Sequence, residues 1–268
     1  MFNKINILFP LFLLVFPLLG EEIQTNNNNN NYLDKIPRSL IETISHFYPN
    51  YDKQNNCWVV KSKEFSDNHY CLLITQSKVI ETQSGKRRYL VLTGTMLDEK
   101  NNDFISHVSL GMAALFIVNN ADSKLIAASP KLLLGSYSTP PADWKLVKLA
   151  PNDYWGWQTF IGDAHGGYSG GSYLIYAPYG KRGIKNIAGI PAYYSNKEAG
   201  NMAQKVTDID SEISIIVDKT KQVYSLKAIL SGIKDGKKPK NKSWVIPFNI
   251  KKWRYQEPEN WPLSGYEY

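Results

Sequence analysis

From Cys57 onward, the chain consists of short runs of β-branched and aromatic residues separated by turn-forming clusters. Turns are indicated at Ser84-Gly85, Pro140-Pro141 and Tyr179-Gly180, where glycine and proline permit or impose tight reversals. Strands at this spacing favour an antiparallel sandwich or open, barrel-like sheets, so we expect a mainly β domain over residues 51–256. Examples of the predicted strands are residues 57–61, 70–75, 88–96, 111–118, 125–129, 146–149, 171–177, 212–217, 224–231 and 244–248.

One short helix is predicted ahead of these strands, within residues 33–50. Apolar residues recur at helical spacing between Ile36 and Tyr48. Pro37 suits the first turn of a helix, and Pro49 cannot continue one.

The first twenty residues have the pattern of a signal peptide. Lys4 supplies a positive charge, residues 5–19 are mostly apolar, and Gly20 is a small residue ahead of polar sequence. The apolar run is shorter than a membrane-spanning helix requires, and prolines interrupt it. We expect residues 1–20 to direct export to the periplasm or out of the cell, with no transmembrane segment left after their removal. An uncleaved anchor is the alternative.

Two terminal segments flank the predicted domain. Residues 21–32 include a run of asparagines and are predicted to form a disordered spacer. Residues 257–268 contain Pro258 and Pro262 and are predicted to form an extended tail across the domain.

The net charge of the chain is +7, and removal of the segment that contains Lys4 would leave +7 − 1 = +6. This basicity favours encounter with an anionic envelope surface but does not define a fold. Because the chain has neither a basic helix nor an RNA-binding signature, we do not expect nucleic acid as a partner.

A group of lysines surrounds Asp235-Gly236, between two predicted strands. This group can be a solvated hairpin tip, or it can be a patch that binds anionic glycans or lipid headgroups. The lysines are Lys234, Lys237, Lys238, Lys240 and Lys242.

The only cysteines are Cys57 and Cys71. In an oxidising compartment, a disulfide between them would close a short loop and stabilise the fold. The alternative is a pair of buried thiols.

The segment Gly167-Tyr168-Ser169-Gly170-Gly171 contains a formal Gly-x-Ser-x-Gly motif. An α/β-hydrolase requires a helix after the serine, but residues 172–176 have the pattern of a strand. A chymotrypsin-like order is the alternative, in which His69 is the base, Asp103 orients it and Ser169 is the nucleophile. Tyr168 stands where that family has aspartate.

The same region offers ligand-binding candidates. Asp163 and His165 are two residues apart on a predicted strand and could form a pair of metal ligands, but no third ligand is indicated. We therefore interpret them as caps of a glycine-rich turn and predict neither a metal nor a cofactor. Trp155 and Trp157 share a strand face that could be a ligand surface or part of the core. The predicted ligand-binding candidates are Trp155, Trp157, Asp163, His165 and Tyr168.

The stretch Tyr154-Trp155-Gly156-Trp157, with Gly162-Asp163-Ala164-His165-Gly166-Gly167-Tyr168 and the strand at 174–180, resembles a pattern in uncharacterised exported β-rich proteins of Gram-negative bacteria. The resemblance extends from about Cys57 to Trp261. It implies a bacterial envelope setting, and it implies no activity, cofactor or catalytic residue.

These patterns together predict an exported, non-enzymatic β-rich envelope protein that binds an envelope component or a glycan. The alternative function is that of a secreted serine hydrolase that uses the Gly-Tyr-Ser-Gly-Gly segment.

Overall fold

A computed structural model describes residues 22–24, 36–63, 68–106, 108–202, 205–240 and 242–266. The predicted signal peptide at 1–20 lies outside the described residues, as does most of the predicted spacer. Within the spacer, β1 (Glu22–Gln24) is a strand paired with β4, so disorder is the wrong prediction for these three residues. The protein is mainly β, as predicted, and its strands form open sheets rather than a closed barrel.

The first sheet is covered on both faces, and its strands take part in two buried clusters. Its strand β7 has the sequence GMAALFIVN and is buried at every position but the last. A strand that is apolar on both sides is expected at the centre of a layered fold. The strands of this sheet are β2 (Tyr51–Asp52), β3 (Cys57–Lys61), β4 (His69–Thr82), β5 (Gly85–Gly94), β6 (Met96–Leu97), β7 (Gly111–Asn119) and β8 (Leu125–Leu134). A single parallel bridge between Ala128 and Gly183 makes it continuous with a second sheet.

The helix α1 (Arg38–Ser45) covers the outer face of this sheet. Its apolar stripe places Leu40 and Ile44 in a buried cluster with Trp58, and the Trp58 indole nitrogen donates to Ser45 Oγ at 3.0 Å. The helix is shorter than the predicted segment 33–50 because Pro37 lies at its N-cap and the chain leaves helical geometry after the last turn.

The second sheet packs against the inner face of the first. Trp157 is fully buried between the two sheets and contacts Tyr89 of the first sheet edge to face. Strand β12 was not among the predicted strands because Gly189 and Pro191 interrupt its apolar pattern. The strands of the second sheet are β9 (Trp144–Lys148), β10 (Trp155–His165), β11 (Tyr168–Tyr179) and β12 (Gly183–Ser195).

A third layer covers the other face of the second sheet. Ile175 and Ile190 of the second sheet share a buried cluster with Ile209 and Leu226 of this layer. The layer consists of β13 (Asp208–Ile216), β14 (Ser225–Ile233) and β15 (Ser243–Ile246), with the small pair β16 (Phe248–Asn249) and β17 (Arg254–Tyr255) beside it.

The C-terminal segment closes this third layer and is not extended as predicted. Trp261 and Leu263 are buried in the same cluster, and the Trp261 indole donates to the Pro191 carbonyl at 3.0 Å. Backbone hydrogen bonds such as Ser264 N to Trp261 O form successive turns. Burial of Trp261 and Leu263 removes their apolar surface from water, and the turns supply backbone hydrogen bonds that a straight chain would lack.

The second sheet and the third layer are joined through an irregularity in β12. Gly171 pairs with Tyr193 while Ser172 pairs with Pro191, so Ala192 is an extra residue on β12. Such a bulge bends a strand and lets it change sheets. Beyond the bulge, Tyr193 to Ser195 pair with β13 as well as with β11.

The predicted disulfide is confirmed. Cys57 of β3 and Cys71 of β4 are bonded, with Cα atoms 5.3 Å apart. The bridge links two neighbouring strands at the layer that packs against α1.

We predict that the double substitution Cys57→Ala and Cys71→Ala lowers the free energy of unfolding by about 3 kcal/mol, because a closed loop of this length restricts the unfolded chain. Urea unfolding of the oxidised protein and of the variant measures the difference. Because the chain has no other cysteine, treatment with a reductant should destabilise the parent and leave the variant unchanged. Equal stability of parent and variant would contradict the prediction.

Candidate functional site

A two-residue turn joins β10 to β11 and forms one wall of the site. His165 pairs with Tyr168, and Gly166 and Gly167 between them have φ values of +59° and +83°. A turn with two positive φ angles matches the twist of a hairpin and strongly favours glycine. The Gly166-Gly167 sequence therefore explains the turn without any catalytic role for the glycines.

The second glycine of this turn also lies against the 3-10 segment Lys197–Met202. A Cβ atom at Gly167 would lie 2.5 Å from the Glu198 carbonyl oxygen and 2.6 Å from the Ala199 nitrogen. A Cβ at Gly166 would meet nothing within 4 Å. The hairpin tip is thus packed directly on the backbone of the 3-10 segment.

The floor of the site is a row of residues in register across three strands. Ser169 of β11 pairs with Ser195 of β12, and Ser195 pairs with Asp208 of β13. Directly opposed residues place their side chains on the same face of a sheet, a few ångströms apart. The register therefore brings two hydroxyls and a carboxylate together at the end of the sheet.

A hydrogen-bonded network connects these side chains. The Ser169 Oγ and the Tyr193 hydroxyl are 2.9 Å apart. Lys197 forms an ion pair with Asp208. Ser195 lies beside Asp208 in the strand register.

This network sets the charge of the site. The hydrogen bond from Lys197 holds the pKa of Asp208 below its ordinary value, and the Ser195 hydroxyl acts in the same direction. The same hydrogen bond raises the pKa of Lys197. A carboxyl group with a lowered pKa stabilises the folded state above its ordinary pKa, and that contribution is lost as pH falls through the lowered value. The ion pair is therefore formed at neutral pH.

Together, the hairpin tip, the row and the 3-10 segment enclose an open cleft of about 540 Å³, which we call the polar cleft. Its walls present hydroxyl groups, a paired ammonium and carboxylate, a second carboxylate, an imidazole and two phenol rings. The residues with polar side chains that line it are His165, Tyr168, Ser169, Tyr193, Ser195, Lys197, Glu198 and Asp208.

The structure does not assemble the predicted catalytic triad. His69 lies on β4 of the first sheet, where its Nε2 atom is 3.0 Å from Asn101 Oδ1. His69 pairs with Leu97, which in turn bridges to Asp103, so these two predicted partners are near each other. Neither His69 nor Asp103 lines the cleft that contains Ser169. The Ser169 Oγ is hydrogen bonded to the Tyr193 hydroxyl and not to an imidazole. The order of residues along the chain cannot reveal this separation, because the separation depends on how the strands pair.

The predicted ligand-binding candidates divide between the cleft and the core. His165 and Tyr168 line the polar cleft. Asp163 is exposed on β10 opposite Gly170, where its carboxylate accepts a hydrogen bond from the Ala164 backbone nitrogen at 2.7 Å. Trp157 is fully buried and Trp155 packs against the same cluster, so both tryptophans belong to the core between the sheets.

Four residues of the site were missed by sequence reasoning. Tyr193 and Ser195 reach it from β12, Lys197 from the 3-10 segment and Asp208 from β13. The only sequence signal for them is the polar cluster that follows the apolar residues of β12. Their meeting with Ser169 depends on the bulge at Ala192.

Within the described ranges, no group of three or more histidine, cysteine, aspartate or glutamate side chains could hold a metal ion. None of the helices in these ranges is long and apolar enough to cross a membrane.

No protein-family model, no curated protein and no solved structure matches this chain.

We predict that Gly167→Ala destabilises the protein more than Gly166→Ala. Both changes place a Cβ at a positive φ, which costs about 1–2 kcal/mol. Only the first also forces the hairpin tip away from the backbone of the 3-10 segment, which adds about 1–3 kcal/mol. Thermal or urea unfolding of the two variants measures the difference. Equal losses of stability would show that the hairpin tip is not packed on that segment.

Proposed function

We propose that this chain is an exported, non-enzymatic β-rich protein of the bacterial envelope that binds a glycan in the polar cleft. The observation that carries the proposal is the row of Ser169, Ser195 and Asp208 across three strands, with the Tyr193 hydroxyl hydrogen bonded to Ser169. The signal-like pattern of residues 1–20 and the disulfide support an exported location.

The chemistry of the cleft suits a ligand with many hydroxyl groups. Serine and tyrosine hydroxyls both donate and accept, whereas a carboxylate only accepts and an ammonium only donates. The cleft therefore offers both kinds of partner within a short distance. Tyr168 and Tyr193 add apolar ring surface beside polar groups, as in many sites that bind sugar rings.

The site is also held in place before any ligand arrives. The ion pair between Lys197 and Asp208 and the bond between Ser169 and Tyr193 fix side chains that would otherwise rotate. Side chains that are already ordered lose less entropy on binding. A preformed polar cleft on strand ends is thus well suited to recognition.

The same geometry supports binding more than acyl transfer. A serine nucleophile of the chymotrypsin type needs an imidazole within hydrogen-bonding reach and a carboxylate behind that imidazole. Ser169 has the Tyr193 phenol as its hydrogen-bond partner, and the Asp208 carboxylate is paired with Lys197.

We expect the protein from residue 21 onward to bind at least one of four neutral oligosaccharides, namely maltohexaose, cellohexaose, chitohexaose or xylohexaose, in isothermal titration calorimetry. Tyr193→Phe should weaken that binding about fivefold to tenfold, since loss of one hydroxyl removes about 1–1.5 kcal/mol of hydrogen bonding. The matched control is Tyr179→Phe, which removes a phenol at the other end of β11.

Two results would contradict the proposal. One is the absence of binding to all four oligosaccharides by folded protein. The other is labelling by a fluorophosphonate probe that disappears in Ser169→Ala, which would support the serine hydrolase instead.

A further inference from the structure

A second cleft lies beside the connection between β14 and β15. It has a volume of about 510 Å³, and we call it the lysine cleft. Among its lining residues, Asp235 is the only acidic one. The lysines that line it are Lys205, Lys234, Lys237, Lys238 and Lys240.

The lysine cleft is a built structure, in contrast to a freely solvated hairpin tip. Lys234 and Lys237 exchange backbone hydrogen bonds at 2.8 and 3.0 Å. The turn between them is hydrogen bonded to the segment just before β13. Gly236 N donates to the Val206 carbonyl at 2.8 Å, and Asp235 N donates to Thr207 Oγ1 at 3.0 Å. The lysine backbone is therefore fixed around the cleft.

The floor of the lysine cleft combines apolar surface with a buried donor. Trp244 lines it together with Pro239 and Pro262. The Trp244 ring packs edge to face on Trp261. Its indole nitrogen is buried and has no hydrogen-bond partner among the described residues. A ring that can stack on a sugar, surrounded by ammonium groups, is typical of sites for charged saccharides.

The two clefts lie along the same end of the sheet. Ile233, which precedes the first lysine of the turn, pairs with Asp208, and the row continues through Ser195 to Ser169. Three strand spacings separate Ile233 from Ser169, a distance of about 14 Å. That distance is spanned by a few sugar units of a single chain. Lys205 lines one cleft and Asp208, three residues later, lines the other.

We propose that the lysine cleft binds the anionic substituents of an acidic polysaccharide whose chain also occupies the polar cleft. This inference rests on the proposed function and adds to it the chemical class of the ligand. The excess of lysine over acidic side chains selects sulfate, phosphate or carboxylate groups. The concave shape and the Trp244 ring favour a saccharide over a flat lipid surface.

The test uses dextran sulfate and its uncharged parent dextran as probes, with binding measured by biolayer interferometry at several salt concentrations. We expect the parent protein to prefer dextran sulfate and to lose affinity as salt screens the lysines. The triple substitution Lys237→Glu, Lys238→Glu and Lys240→Glu should weaken binding of dextran sulfate at least about tenfold.

A matched control distinguishes loss of binding at the lysine cleft from the effect of a lower net charge. Lys219, Lys221 and Lys227 are exposed on or next to the turn between β13 and β14. Their joint replacement by glutamate changes the net charge of the protein by the same amount, and we expect it to leave the affinity for dextran sulfate within about twofold of the parent.

Each outcome decides a different claim. Equal losses in the two triple variants, or none in the first, would overturn the lysine cleft as a site while Tyr193→Phe still tests the polar cleft. A loss in the first triple variant with no effect of Tyr193→Phe would leave an anion site and overturn the glycan function of the polar cleft. Binding to vesicles of phosphatidylglycerol, but not to dextran sulfate, would overturn the polysaccharide and favour a membrane surface.

Discussion

The architecture depends on one strand, β12, that takes part in two packing interfaces. Its Ile184 is buried between the two large sheets, and its Ile187 and Ile190 are buried against the third layer. An extra residue at Ile187 makes this possible, because it shifts the register with β11 between Ile184 and Ile190; a second shift follows at Ala192. Each bulge changes which side chains face which layer. The apolar residues of a single strand can therefore fill two cores.

The second bulge also produces the polar cleft. It turns the end of β12 towards β13, so that Ser195 is paired with Ser169 on one side and with Asp208 on the other. The Trp261 indole donates to the Pro191 carbonyl next to this bulge, and the C-terminal segment thus supports the bend. The site is therefore a consequence of how the layers are joined. Its side chains come from strand ends that the core holds in place.

Charge distribution gives the two clefts different properties. In the polar cleft, Lys197 pairs with Asp208, Glu198 adds a further carboxylate, and the surface consists of hydrogen-bonding groups. In the lysine cleft, the lysines have only Asp235 to balance them. A ligand that satisfies both clefts must carry hydroxyl groups and negative charge on one chain. The pairing of a hydroxyl-binding cleft with a lysine-lined cleft is the reason that we propose an acidic polysaccharide as the ligand.

Much of the fold could be predicted from local patterns, because the spacing of apolar residues and the residues that form turns are local properties of the sequence. Strand β7 was recognised by its apolar run, and the disulfide by the only two cysteines. Strand β12 was missed because Pro191 and Gly189 are tolerated at its bend, where pairing is already irregular. In the site, Ser169, His165 and Tyr168 were found because they are adjacent in sequence. Tyr193, Ser195, Lys197 and Asp208 were not, since their meeting with Ser169 is decided by strand register, which local sequence does not encode.

We infer that the row of strand ends from Ser169 to Ile233 is the ligand-binding surface of the protein. Chemical-shift mapping of backbone amides by NMR, during titration with a short sulfated dextran oligomer, tests it most directly. We predict that the shifted amides cluster at Ser169, Ser195 and Asp208 and at the turn Lys234–Lys237 after Ile233. Shifts confined to other surfaces, such as the turn between β13 and β14, would contradict it.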